Sequence, residues 1–225
     1  MEQRYDTNPV QAAADHITRK ITDKLSQNKR VLWFLSGGSG ARVVLEVARQ
    51  LAGHDLHNLY VTLTDERYGP IGHPDENWQQ LLDGGFDLPG ANLYRPLIGE
   101  DPQTTTNRFG AWISQHMADT HYSIGIFGIG NDGHTAGIKP HSSAVSANAW
   151  TDYFVGDDFE RVTITLLPIE QSNEVVVQAS GPDKVPVLHS LLTESISVVE
   201  QPAQALKHVA LSTLYTDNKE IIFFP

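Results

Sequence analysis

The sequence predicts an α/β fold, a mostly parallel sheet with helices on both faces. Three observations carry this. Short apolar runs read as buried strands, amphipathic stretches of helical period lie between them, and polar, glycine-rich clusters mark where the runs end. A strand covered on both faces needs apolar residues at nearly every position. VLWFL (31–35), NLYVTLT (58–64) and YSIGIFG (122–128) meet that need.

The first helix starts at Asn8-Pro9, a capping residue followed by proline at the first helical position. Val10, Ala13, Ala14, Ile17, Ile21 and Leu25 continue it to about residue 28. After the strand at 31–35 comes SGGSG, then a second helix marked by Val43, Val44, Val47 and Leu51. The strand at 58–64 ends in Asp65-Glu66-Arg67. Residues 65–100 are rich in Gly, Pro, Asp and Asn and read as loop with one short helix near 76–82. Phe109, Trp112, Ile113, His116 and Met117 share a face of a helix near 103–119, and the strand at 122–128 runs into GNDGH. Strands are then predicted near 151–155, 161–167 and 174–180, helices near 183–194 and 202–207, and final strands near 208–213 and 220–224. No repeat or composition break marks a linker, so residues 1–225 read as one domain.

Composition removes several function classes. Against 27 Asp and Glu stand 16 Lys and Arg, a net charge of −11, which argues against nucleic-acid or membrane-surface partners. A small anion remains compatible where a few cations converge. With no cysteine there are no disulfides, thiolate nucleophiles or thiolate metal sites. The residues MEQRYDTNPV lack a signal peptide's apolar core, and no run is long enough to span a bilayer; the expectation is a cytoplasmic protein.

Ligands of open parallel sheets bind beyond the carboxyl ends of the strands, and three polar clusters sit there: Ser36–Gly40, Asp65–Arg67 and Gly130–His134. In SGGSG a strand, a glycine turn and a helix start place free N–H groups around an anion, with the Ser39 hydroxyl beside them. A tight turn without ligand explains the same residues equally well. A Walker loop is excluded because no lysine follows, and the GxSxG nucleophile elbow fails at Ala41. Gly128-Ile129-Gly130-Asn131-Asp132-Gly133 matches GxGxxG, but Pro140 interrupts the helix that motif requires and Asp132 would face a pyrophosphate. Asp132-Gly133-His134 reads better as a base with its orienting carboxylate, because imidazole titrates nearest neutrality. A solvated loop histidine is the plain alternative. Arg67 offers a planar fork for phosphate or carboxylate, against the simpler reading that Glu66 neutralises it. No histidine spacing suggests a metal, and no cofactor is assigned.

Taken together, LSGGSG (35–40), TDERYGPIGHPDENW (64–78), GIGNDGHTAGIKP (128–140), RVTIT (161–165) and SGPDK (180–184) resemble the 6-phosphogluconolactonase family, homologous to glucosamine-6-phosphate deaminases. The resemblance implies a modified doubly wound, Rossmann-like fold of the sugar-phosphate isomerase/lactonase type. It also implies metal-free hydrolysis of 6-phospho-D-glucono-1,5-lactone, a step of the oxidative pentose phosphate pathway. The implied partner is that small phosphosugar lactone, bound by a monomer or small homo-oligomer. By position, His134 is the implied general base, and Asp132 and Asp65 shape the site. Gly37, Gly38, Ser39, Arg67 and Lys184 hold phosphate or neighbouring oxygens, and Asn77 supports the structure. The alternatives are a glucosamine-6-phosphate deaminase and a sugar-phosphate-binding module without turnover. Deaminases of the family carry a glutamate where this chain has Lys139, and tend to carry DEY where it has DER. The chain also departs from the lactonase pattern. Gly40-Ala41-Arg42 replaces a threonine and proline, with Arg42 expected to compensate; Glu76 replaces a serine and Lys139 an aromatic.

Overall fold

The computed structural model describes residues 1–223. Its first half contains β1 (Glu2–Tyr5), α1 (Pro9–Ser26), β2 (Val31–Leu35), α2 (Ala41–Leu51), β3 (Leu59–Leu63), β4 (Asp65–Arg67), α3 (Asn77–Asp83), β5 (Asn92–Tyr94) and α4 (Pro102–Asp119). The second half contains β6 (Tyr122–Phe127), α5 (Ser143–Ser146), β7 (Thr151–Val155), β8 (Glu160–Ile164), α6 (Leu166–Gln171), β9 (Glu174–Gln178), α7 (Val185–Thr193) and β10 (Leu211–Thr216).

The two faces of β2 show how the layers arise. Side chains alternate along a strand, so Val31, Trp33 and Leu35 enter one core with Ile17 and Ile21 of α1 and Val43, Val44 and Val47 of α2. Leu32 and Phe34 enter the other, with Phe109 and Ile113 of α4, Ile169 of α6 and Leu188 of α7. All five residues of β2 are buried, as a doubly covered strand demands. The helices begin where their caps dictate. The Asn8 side chain accepts the Gln11 N–H at 3.3 Å ahead of Pro9, and the Asp101 carboxylate accepts the Gln103 and Thr104 N–H groups ahead of Pro102.

The main sheet has seven strands in the order β1-β10-β9-β6-β2-β3-β5, every neighbouring pair parallel. The chain runs from β2 outward through β3 to β5 and later returns on the other side of β2 with β6. The order therefore reverses between β2 and β6, where their end loops diverge and leave a crevice. A second, antiparallel sheet, β4-β8-β7, stands beside this crevice, with Asp65 opposite Thr163 and Arg67 opposite Arg161.

Several expectations need correction. β1 is a polar, mostly exposed edge strand with no apolar alternation to announce it. Within 65–100, read as loop with one helix, β4 and β5 are strands of three residues each, defined by partners distant in sequence. The strand predicted at 161–167 ends at Ile164, because Thr165 caps α6 by accepting the Leu167 N–H at 3.2 Å. The strand at 174–180 stops at Gln178, and the helix at 202–207 is a 3-10 helix, Pro202–His208. The strand near 208–213 lies at 211–216 instead. The apolar run near 220–224 is a 3-10 helix, Lys219–Phe223, with residue 224 outside the described residues. β1 already occupies the edge beside β10, so this run folds over β1 and α7 and buries Ile221.

Candidate active site

The loops after β2, β3, β6 and β9 open on one side of the sheet and line a common cleft of about 210 Å³. Its walls include Gly37, Gly38, Ser39, Asp65, Arg67, His134 and Lys184, all singled out in the sequence, together with Asn77 and Arg161. Asp132 stands immediately behind His134.

The turn after β2 is shaped for a ligand oxygen. Gly38 has φ +53°, a left-handed conformation that glycine adopts without strain. The first internal bond of the turn is Gly40 N–H to the Gly37 carbonyl, so the N–H groups of Gly38 and Ser39 precede the bonded ladder and lead into α2. Gly37 is fixed by packing: a Cβ there would lie 2.2 Å from Asn77 Oδ1. The Asn77 amide donates to the Asp65 carbonyl at 3.1 Å, while its buried Oδ1 has no hydrogen-bond partner. Asn77 thus joins the glycine turn to β4 and also faces the cleft. Arg42 does not compensate for the missing threonine. It is exposed and lines a different surface groove with Leu45, Gly84 and Gly85, because the second residue of α2 faces away from the crevice.

Glu66 does not neutralise Arg67. Its carboxyl is fully buried and accepts the N–H groups of Asn77 (2.6 Å), Arg67 (2.8 Å) and Trp78 (3.0 Å), closing the N-terminus of α3. Burial pushes this carboxyl up to about 8, against the downward pull of those donors. The Arg67 guanidinium instead donates to the Asp75 carbonyl at 3.2 Å and lies 4.6 Å from the Phe159 ring centre. Opposite it on β8, Arg161 lies 5.4 Å from the same ring and is held by Asp158 at 2.5 and 2.8 Å. Like charges directly across a ladder repel, so this pairing favours an anion between or above them. Sequence reading passed over Arg161; its signal was the RVTIT strand, which antiparallel pairing with DER turns toward the cleft.

His134 is set by its own loop. Its Nδ1 lies 2.5 Å from Asp132 Oδ1, and its backbone N–H donates to the same oxygen at 3.2 Å. Burial alone would raise Asp132, but the His134 imidazole, the backbone N–H and Lys139 bring it down to about 2. Asp132 is therefore an acceptor near neutrality, so Nδ1 carries a hydrogen toward it and in the neutral ring the lone pair lies on Nε2. The glycines around it answer to space. A Cβ at Gly130 would lie 2.1 Å from His134 Nδ1 and 2.5 Å from Asp132 Oδ1, and Gly133 has φ +83°. The GxGxxG match thus belongs to the loop that carries His134. Asp65 lines the floor; burial raises its pKa, opposed by the Thr64 hydroxyl and the charges of Arg161, His134 and Arg67. Lys184 donates to Asn131 Oδ1 at 2.7 Å, which fixes the cation at the rim. Among the described residues, no group of three or more His, Cys, Asp or Glu side chains could hold a metal ion.

An imidazole held by a carboxylate, three cations and an N–H-lined turn in one cleft suit proton transfer on a small anionic ligand. The chain as a whole is similar to proteins of known activity. A 6-phosphogluconolactonase from Synechocystis sp. is 26% identical over 210 residues, covering 88% of this chain and 86% of that protein. A solved 6-phosphogluconolactonase from Shewanella baltica superposes with a TM-score of 0.77 at 19% identity, covering 96% of each chain. A monomeric glucosamine-6-phosphate deaminase superposes with 0.79 at 18% identity, covering 98% of each, so the fold alone does not separate the two chemistries. The model of the enzyme family described as glucosamine-6-phosphate isomerases/6-phosphogluconolactonase matches residues 6–215, nearly the whole described chain, and this protein belongs to that family.

Proposed function

We propose that this chain hydrolyses 6-phospho-D-glucono-1,5-lactone to 6-phosphogluconate with His134 as general base and no metal. The observation that carries the reading is the meeting of the His134–Asp132 pair with Arg67, Arg161, Lys184 and the Gly37–Ser39 turn in one cleft. The cations and N–H groups hold the phosphate and the lactone oxygens, placing C1 of the ring before His134 Nε2. Water attacks C1 as Nε2 takes its proton, and Asp132 stabilises the imidazolium through Nδ1–H. The proton then passes to the ring oxygen as the C1–O bond breaks. A lactone is an activated ester, so one oriented base with charge stabilisation suffices.

The deaminase reading fits less well. That chemistry calls for a glutamate where this chain has Lys139, and here Lys139 Nζ donates to Asp132 Oδ2 at 3.1 Å. A carboxylate at 139 would repel Asp132 instead. The test is lactone hydrolysis by pure protein, corrected for spontaneous opening, beside ammonia release from glucosamine 6-phosphate and a thermal-shift panel of phosphosugars. Rate acceleration on the lactone without ammonia release is the expected result. Ammonia release would establish the deaminase, and a thermal shift without either reaction a binding module.

A further inference from the structure

Lys139 reverses the charge that the deaminases carry at its position, and the structure gives it two carboxylate partners. Its Nζ lies 3.1 Å from Asp132 Oδ2 and 3.8 Å from Asp158 Oδ2. The other Asp132 oxygen holds His134 Nδ1, and Asp158 grips the Arg161 guanidinium with both oxygens. A continuous line of side chains therefore runs from the His134 ring through Asp132, Lys139 and Asp158 to Arg161, with charges alternating from Asp132 onward. The two ends line the cleft, and Lys139 is not among the lining residues.

We propose that Lys139 is a positioning residue for the reaction assigned above: by holding the second oxygen of Asp132 it fixes the plane of that carboxylate, and with it the His134 ring. The need for such a hold is physical. The Asp132 side chain is 43% exposed, so with one oxygen tied it would turn about its last torsion and trade the imidazole for water. Lys139 fills the remaining acceptor, as outer partners do for oriented ligands elsewhere. It also offsets part of the Asp132 charge that faces the imidazole. The other charged groups around the imidazole are Asp65 and Arg67 on β4, Arg161 on β8 and Lys184 after β9, and substitution at 139 leaves all four in place.

The proposal rests on the lactonase reading only for its kinetic test; the environment of the imidazole is measured independently. Lys139→Met and Lys139→Gln are compared with Lys139→Arg. Either neutral variant is expected to lower kcat for the lactone about tenfold with KM within about twofold, and the arginine to restore most of it. The acidic limb of the kcat profile is expected to move up by about 0.5 pH unit when the cation is removed. In protein with 13C-labelled histidine, the His134 ring signal, identified by its loss in His134→Ala, is expected to titrate higher in the neutral variants by the same amount. This measurement needs no turnover: a parent without lactonase activity would sink the function while the titration still decided the role of Lys139. Folded neutral variants with parental titration and parental pH profile would overturn the proposal, even with a lower kcat, because they would leave Lys139 only a structural part.

Discussion

Asp132 is the residue on which the state of the proposed base, His134, depends. With its pKa brought down to about 2, its carboxylate accepts from Nδ1, which favours one tautomer of the neutral imidazole. Replacing Asp132 with Asn lets the side chain offer an N–H to Nδ1 and invert the ring. The expected result is a kcat lower by roughly 10²–10⁴ with KM little changed, close to the loss from His134→Ala. Steady-state kinetics on the lactone measures both. Glu66 is the corresponding residue for structure. An amide in its place keeps one oxygen but turns N–H toward a backbone N–H, so Glu66→Gln is expected to cost about 1–3 kcal/mol in denaturant unfolding.

At the scale of elements, the loop after β6 and the small sheet divide the work. Gly130→Ala inserts a Cβ 2.1 Å from His134 Nδ1, so the His134 ring is expected to move while the loop's other bonds remain. These include Gly130 N–H to the His134 carbonyl and the Thr135 hydroxyl to the Gly128 carbonyl. The expected outcome is a fall in kcat of about 10²-fold with an unchanged melting temperature, read by kinetics and calorimetry together. This loop was legible in the sequence, because an apolar strand followed by Gly, Asp and His is local information. The small sheet was not. β4 is three charged residues and becomes a strand only through β8, nearly a hundred residues later, so no local pattern could show that Arg161 faces Arg67. Glu66 misled for the same reason: its partners are the N–H groups of α3, which no pairing of neighbouring charges reveals.

For the whole molecule, the parallel sheet and its layers were readable because burial on both faces writes itself into composition. The edges were not: β1 is polar, and the run after β10 is apolar but has no edge left to join. The acid limit of stability follows from the carboxylates that folding holds low. Glu174, the buried first residue of β9, is pressed upward by burial, yet the His16 ring, the Tyr122 hydroxyl and Lys20 bring it to about 2, and Glu46 and Asp132 also sit near 2. Each binds its proton more readily unfolded than folded, so its contribution is complete above the unfolded value near 4 and is lost as pH falls toward 2. Melting temperature is expected to drop steadily from pH 5 to pH 2, and less steeply in Glu174→Gln, as scanning calorimetry would show.

The two guanidiniums facing each other across β4 and β8 bear on the protein before it meets any substrate. Until a counter-anion arrives, that ladder carries a repulsion moderated by Phe159, Asp158, the Asp75 carbonyl and the charges of Asp65 and Asp132 nearby. Saturating inorganic phosphate should therefore slow amide hydrogen exchange most in residues 65–67 and 160–164, leaving the central parallel strands as protected as before. Ligand occupancy and the tightness of one small sheet would then be a single quantity, read residue by residue.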